Sequence, residues 1–204
     1  MKKTAILRRI RHYLKEHSPT GDVGIPESPE VGSMPDLVET FSVALAQVKG
    51  EFYQATSYQE VVSVLKRVLS PAQPIYLARD TFPPDVDWHW LETEFSGQGV
   101  SSLAENTVVA LTGATFLIAE TGTIGIQSDL VASLLPEHHI VLAMTDQLYP
   151  TLEALVAQRP DFMVDIPYTT LITGPSRTAD IEKTLVLGAH GPGRLTVILL
   201  IPNP

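Results

Sequence analysis

Apolar residues along the chain recur at two spacings, and the change from one to the other marks out its elements. Near the start, Ile6, Leu7, Ile10 and Leu14 fall on one stripe of a 3.6-residue period, which predicts an amphipathic helix. From Ser18 to Pro35 the period lapses among four prolines and three glycines, the composition of a linker or a long surface loop. Helical spacing returns over Asp36 to Lys49, with Leu37, Phe41, Leu45 and Val48 on one face and Asp36 as a candidate cap. Phe52 to Ala55 predicts a short strand. Ser57 with Glu60 forms a capping-box signature ahead of a second amphipathic helix, Val61 to Leu69. Pro74 to Ala78 predicts a short buried strand. These spacings divide the chain into an N-terminal basic helix with its Pro/Gly-rich linker, residues 1–35, and a single α/β domain, residues 36–204.

Further along, the apolar runs become nearly continuous. Thr107 to Leu111, Ala114 to Ala119 and His139 to Met144 are dense in Val, Ile, Leu and Thr, as strands covered on both faces should be. Thr151 to Gln158 predicts a helix, Tyr168 to Thr173 a strand, Thr178 to Leu187 a helix and Leu195 to Ile201 a terminal strand. In the helix over 178–187, Ser176 or Thr178 would cap the start, Asp180 and Glu182 would suit its positive end, and Gly188 would close it. Strands alternating with helices imply a mostly parallel sheet flanked by helices, a three-layer α/β fold. One pair breaks the alternation: Ala114–Glu120 and Thr123–Gln127, separated only by Thr121-Gly122, predict a β-hairpin.

Composition narrows the class. The chain has 204 residues, 44% of them hydrophobic and 18% charged, enough for a substantial core. No apolar run approaches the ~20 residues a membrane span needs. The first residues are basic, but Arg8, Arg9 and Arg11 interrupt any signal-peptide core, so a cytoplasmic protein is expected. With no cysteine, the chain offers no thiolate to a metal and no cysteine-ligated iron–sulfur cluster. Six of the 14 Lys and Arg residues lie in the first 15 positions, which carry no acidic residue. The rest holds 8 basic and 23 acidic side chains, a field that repels nucleic acid. The basic segment reads either as a solvated helix face or as an arm docking on an acidic partner or a sister subunit, so a homo-oligomer is left open.

Candidate chemistry gathers in two stretches. Glu120 ends an apolar strand and opens Glu120-Thr-Gly122-Thr123-Ile-Gly125. This E-x-G-x-x-G spacing resembles one used by CoA-transferases, in which the Glu attacks an acyl-CoA thioester and two glycines let a large cofactor approach the backbone. The same Glu could equally be a hairpin-end residue bonded to turn amides. Gly174, Ser176, Arg177 and Thr178 at a predicted helix start combine free N–H groups, hydroxyls and a guanidinium, suited either to an anion or to capping. His190 in the Gly-Ala-His-Gly-Pro turn is a candidate acid/base or anion contact, or a helix-end structural residue, and Arg194 close by is a further candidate ligand or anion contact, as are Gly122 and Thr123 of the hairpin. His138 and His139 enter a strand and must point to opposite faces, so they do not share a metal, and no metal site is expected. Walker A, dinucleotide and nucleophile-elbow motifs are absent from the sequence.

Four segments together identify a relation. Ala119–Gly125 (AETGTIG), Leu134–Ala143 (LLPEHHIVLA), Thr173–Glu182 (TGPSRTADIE) and Gly188–Leu200 (GAHGPGRLTVILL) resemble, in order and spacing, the lactate-utilisation protein C family, or LUD domain, over roughly residues 36–204. The resemblance implies a fold like that of ribose-5-phosphate isomerase, CoA-transferases and 5-formyltetrahydrofolate cyclo-ligase. It also implies membership of a three-protein bacterial system oxidising L-lactate to pyruvate, with iron–sulfur clusters on partner subunits and no cofactor in this chain. A stand-alone CoA-transferase-like enzyme, or a module binding an organic acid or nucleotide, is the alternative. The chain departs from the family at Asp129, where such proteins often carry a basic residue, which puts any contact made there in doubt and leaves room for a paralogue with another role.

Overall fold

The computed structural model describes residues 33–70, 74–82, 89–95, 99–100, 108–127, 130–159, 169–179, 185–187 and 191–201. The predicted N-terminal helix and most of the predicted linker, Asp129, His190 and Tyr168 lie outside them. A helix α1 (Met34–Gln47) opens the described chain. It starts two residues earlier than the spacing predicts, with Pro35 in its first turn. Asp36 is therefore not the cap residue: its carboxylate accepts from the Ser33 amide at 3.1 Å and from the Ser33 hydroxyl. Strand β1 (Glu51–Ala55) and helix α2 (Tyr58–Val68) follow. Ser57 accepts from the Glu60 amide at 3.3 Å, while the Glu60 carboxylate reaches back to the Thr56 amide at 2.7 Å, one residue beyond a true capping box.

Next come β2 (Ile75–Leu77), α3 (His89–Glu94), β3 (Gly99–Val100) and β4 (Val109–Gly113). The hairpin β5 (Phe116–Ile118) and β6 (Thr123–Gln127) forms as the sequence predicts. After it lie α4 (Leu130–Leu134), β7 (His138–Met144), β8 (Leu148–Tyr149), α5 (Leu152–Gln158) and β9 (Thr169–Ile172). The remaining strands are β10 (Arg177–Ala179), β11 (Leu185–Leu187) and β12 (Arg194–Leu200).

Six strands in the order β1-β12-β7-β4-β2-β3 make a wholly parallel sheet. Its middle strands β12, β7 and β4 are buried almost end to end, because both faces are covered and neither tolerates alternation with polar residues. On one face α2 and α3 pack Val61, Leu65, Val68 and Leu91 against Leu111, Ile140 and Ile198. On the other, α1 supplies Leu37, Phe41 and Leu45 against Val141, Leu195 and Val197. That second face also receives Leu117, Ile124 and Ile126 from a smaller sheet, ordered β8-β5-β6-β9, with the hairpin at its centre. Helix α5 closes the outside of the smaller sheet by setting Leu155 on Phe116 and Ile118. The expected fold class holds; the second sheet is an addition to it.

One predicted element is replaced. Where the sequence predicts a helix over 178–187, Arg177–Ala179 pairs antiparallel with Leu185–Leu187. The helical reading rested on its ends, Asp180, Glu182 and Gly188, whereas Thr178 and the run Leu185-Val-Leu187 favour strand. A ten-residue helix has little stability of its own, so end signals alone do not hold it.

Candidate functional site

The pairing of β6 with β9 sets Ile124 opposite Ile172, which carries Thr123 alongside Thr173 one step beyond. Their hydroxyls bond at 2.8 Å, and Thr121 Oγ1 reaches Thr123 Oγ1 at 2.7 Å, making a chain of three hydroxyls. The AETGTIG and TGPSR segments, 50 residues apart, thus meet through Thr123 and Thr173.

Both segments then press on the C-terminal end of α1. Gly122 takes φ +64°, and a Cβ there would lie 2.6 Å from the Leu45 amide nitrogen. Gly174 takes φ +90°, with the Val48 carbonyl oxygen 2.8 Å from where its Cβ would be. Arg177 donates through Nη2 to that same Val48 carbonyl. The helix end carries a Schellman motif: the Lys49 amide bonds to Ala46 O and the Gly50 amide to Leu45 O, both at 2.9 Å. The left-handed position in it is occupied by Lys49, φ +66°, where a glycine is usual.

Glu120 sits on this turn, exposed. Its amide donates to Pro150 O at 3.1 Å, and its carboxylate makes no hydrogen bond to a described residue. The glycines beside it have an internal explanation. Gly122 admits α1, and a Cβ on Gly125 would stand 2.1 Å from the Phe116 ring. The E-x-G-x-x-G spacing is filled by the protein's own packing, so it no longer argues for a cofactor approaching the backbone.

The helix start at which the anion cradle is expected is replaced by β10. The Ser176 amide is bonded to Pro192 O at 2.8 Å, and Ser176 lies against Gly191, whose Cβ would be 3.2 Å from its own. The Gly-Pro turns that bracket this stretch therefore close on each other. Thr178 lies in β10, paired with Val186.

Arg194 belongs to a different group. At the start of β12 it holds Glu51 of β1 bidentately, Nε to Oε1 at 2.7 Å and Nη2 to Oε2 at 2.8 Å. This hydrogen bond lowers the Glu51 pKa and raises that of Arg194. Thr196 donates to Glu51 Oε2 at 3.2 Å and pairs with His138 Nε2 at 2.8 Å, so four polar side chains tie β1, β12 and β7 together. Burial, then the Arg194 charge, pushes the His138 pKa down to about 4. On the opposite face His139 is fully buried, with Nε2 at 2.9 Å from Thr112 Oγ1 and no partner for Nδ1. Burial, then His138, pushes its pKa down to about 3. Sequence reasoning separated the two histidines correctly but passed over Glu51, Thr196 and Lys49. Their roles come from strand register and a helix end, which local spacing does not display. Among the described residues no three His, Asp or Glu side chains come together as metal ligands, and no helix is long and apolar enough to cross a membrane.

A six-stranded parallel sheet with a hairpin-bearing second sheet on one face defines an α/β protein of the kind seen in the crystal structure of a DUF162 family protein from Deinococcus radiodurans. That structure superposes with a TM-score of 0.60 at 22% identity, covering 83% of this chain and 99% of the other. Residues 38–200 match the LUD domain, and the chain belongs to that family. Among its relatives, lactate utilization protein C of Macrococcus caseolyticus is 33% identical over 173 residues, 81% of this chain and 71% of that protein. The protein of the same name from Oceanobacillus iheyensis is 29% identical over 131 residues, 60% of this chain. The match spans only 56% of the Oceanobacillus protein's own length.

Proposed function

We propose that the chain is a cytoplasmic component of a bacterial lactate-utilisation system, acting in the oxidation of L-lactate to pyruvate beside partner subunits that carry iron–sulfur clusters. The observation that carries this reading is the family match over residues 38–200, with a relative named lactate utilization protein C at 33% identity across 81% of the chain. The chemistry agrees. Lactate oxidation releases two electrons, and a chain without cysteine cannot ligate a thiolate-held cluster to receive them. The purified chain alone should not oxidise lactate. Deleting its gene should stop growth on L-lactate, and growth should return only when the chain is present together with cysteine-rich, ferredoxin-like partner proteins. Lactate oxidation by the chain alone, or undiminished growth of the deletion strain, would overturn the reading.

A further inference from the structure

Basic charge is concentrated at one end of the chain. Residues 1–15 hold six of the 14 Lys and Arg and no Asp or Glu, while residues 16–204 hold 23 acidic and 8 basic side chains. A segment of that kind is attracted to an acidic surface, and the same chain supplies one. On the helical period of Ile6, Leu7, Ile10 and Leu14, Arg9 and Arg11 fall on opposite borders of the apolar stripe. The surface that complements it has an apolar centre and carboxylates at its border.

Helix α5 has that form. Its inner side buries Ala154 and Leu155, and its outer side leaves Leu152 and Val156, one turn apart, 42% and 43% exposed. Exposed Glu153 borders that pair on the helix. The Glu120 amide donates to Pro150 O, two residues before Leu152, which brings exposed Glu120 beside the start of α5. Neither carboxylate makes a hydrogen bond to a described residue. Arg159, exposed just past the last turn, is the only cation in the stretch 150–159 and directs a basic guest to the end where Glu120 and Glu153 lie.

We propose that residues 1–15 of a second copy of this chain dock on the outer side of α5, with their apolar stripe on Leu152 and Val156 and Arg9 and Arg11 on Glu120 and Glu153. Each copy carries one arm and one such face, so a two-fold exchange satisfies both at once and closes the assembly as a dimer. Exposed ion pairs are worth little singly and are screened by salt, so the apolar contact supplies affinity while the charges set register and salt dependence. Sedimentation of the full chain tests this. The chain should be a dimer at low ionic strength, with a dissociation constant that rises as salt is added. Removing residues 1–15 should leave a monomer that melts like the parent, and Leu152→Ser should weaken the dimer without lowering the melting temperature. Arg9→Glu with Arg11→Glu, and separately Glu120→Lys with Glu153→Lys, should each weaken it at least about tenfold, and all four together should restore it. A merely structural role for these exposed groups would not be rescued by exchanging their charges. The proposal is overturned by a chain that is monomeric at every salt concentration, by a dimer that survives loss of residues 1–15 or reversal of Glu120 and Glu153, or by a fourfold variant no tighter than the two doubles. Binding of residues 1–15 to phosphatidylglycerol vesicles while the chain stays monomeric overturns it as well. None of these outcomes bears on whether the gene is required for growth on L-lactate, so the component reading stands or falls separately.

Discussion

At the scale of single residues, the closely packed glycines and the left-handed Lys49 make opposite predictions. Gly122 combines a positive φ with an α1 backbone atom 2.6 Å from the Cβ it lacks, so Gly122→Ala is strained twice over. Gly125→Ala drives a methyl into the Phe116 ring, which is fully buried and has no room to retreat. Each substitution should cost about 1–3 kcal/mol, the range for overpacking a close-packed core, measured as a lower urea midpoint at unchanged slope. Lys49→Gly should move the midpoint the other way or leave it in place, because relief of the left-handed strain opposes the extra freedom glycine gives the unfolded chain. A drop with Lys49→Gly as large as that with Gly122→Ala would show that the lysine side chain supports the fold.

At the scale of elements, local signals act with different force according to what lies beyond them. Helix α2 carries Val61, Leu65 and Val68 into the core and a cap at Ser57, and the two agree. Ser57→Ala should lower stability by about 1 kcal/mol, since the Glu60 amide loses its acceptor while the apolar face still holds the helix. A loss several times larger would mean that the cap, not the packing, sustains α2. Most elements were legible in this way: the apolar runs of β4, β7 and β12 announced a covered parallel sheet, and Thr121-Gly122 announced the hairpin. The helix predicted over 178–187 gives way because Asp180, Glu182 and Gly188 signal only its ends while Thr178 and Leu185-Val-Leu187 favour strand, and pairing of Arg177–Ala179 with Leu185–Leu187 decides it. The meeting of Thr123 with Thr173 depends on β9 joining β6, a long-range pairing that no local spacing encodes. Arg194 read as a ligand contact for the same reason. Its partner Glu51 is 143 residues away and becomes a neighbour only when β1 joins β12.

At the scale of the whole molecule, the central strand β7 carries a buried histidine to each face of the parallel sheet, and this couples its stability to pH. In the native state His138 titrates near 4 and His139 near 3, both held neutral chiefly by burial, against an ordinary value of 6.5. Above pH 6.5 both are neutral whether the chain is folded or not, and they exact no penalty. Below it the unfolded chain takes up two protons that the folded chain refuses, so stability falls with pH down to about 4 for His138 and about 3 for His139. Glu51, held below its ordinary value by Arg194, acts in the same sense at the acidic end of that window. With both histidines contributing, the slope approaches about 2.7 kcal/mol per pH unit, and the loss between pH 7 and 5 amounts to a few kcal/mol, a large part of the stability of an ordinary domain. Urea melts at pH 7.5, 6.5, 5.5 and 4.5 measure it directly. His138→Gln, which retains a group able to bond Thr196, should remove about half of the slope, and His139→Gln the other part. If both variants keep the parental slope, neutral histidines on β7 do not cause the acid lability, and the paired carboxylate Glu51 becomes the group to replace next.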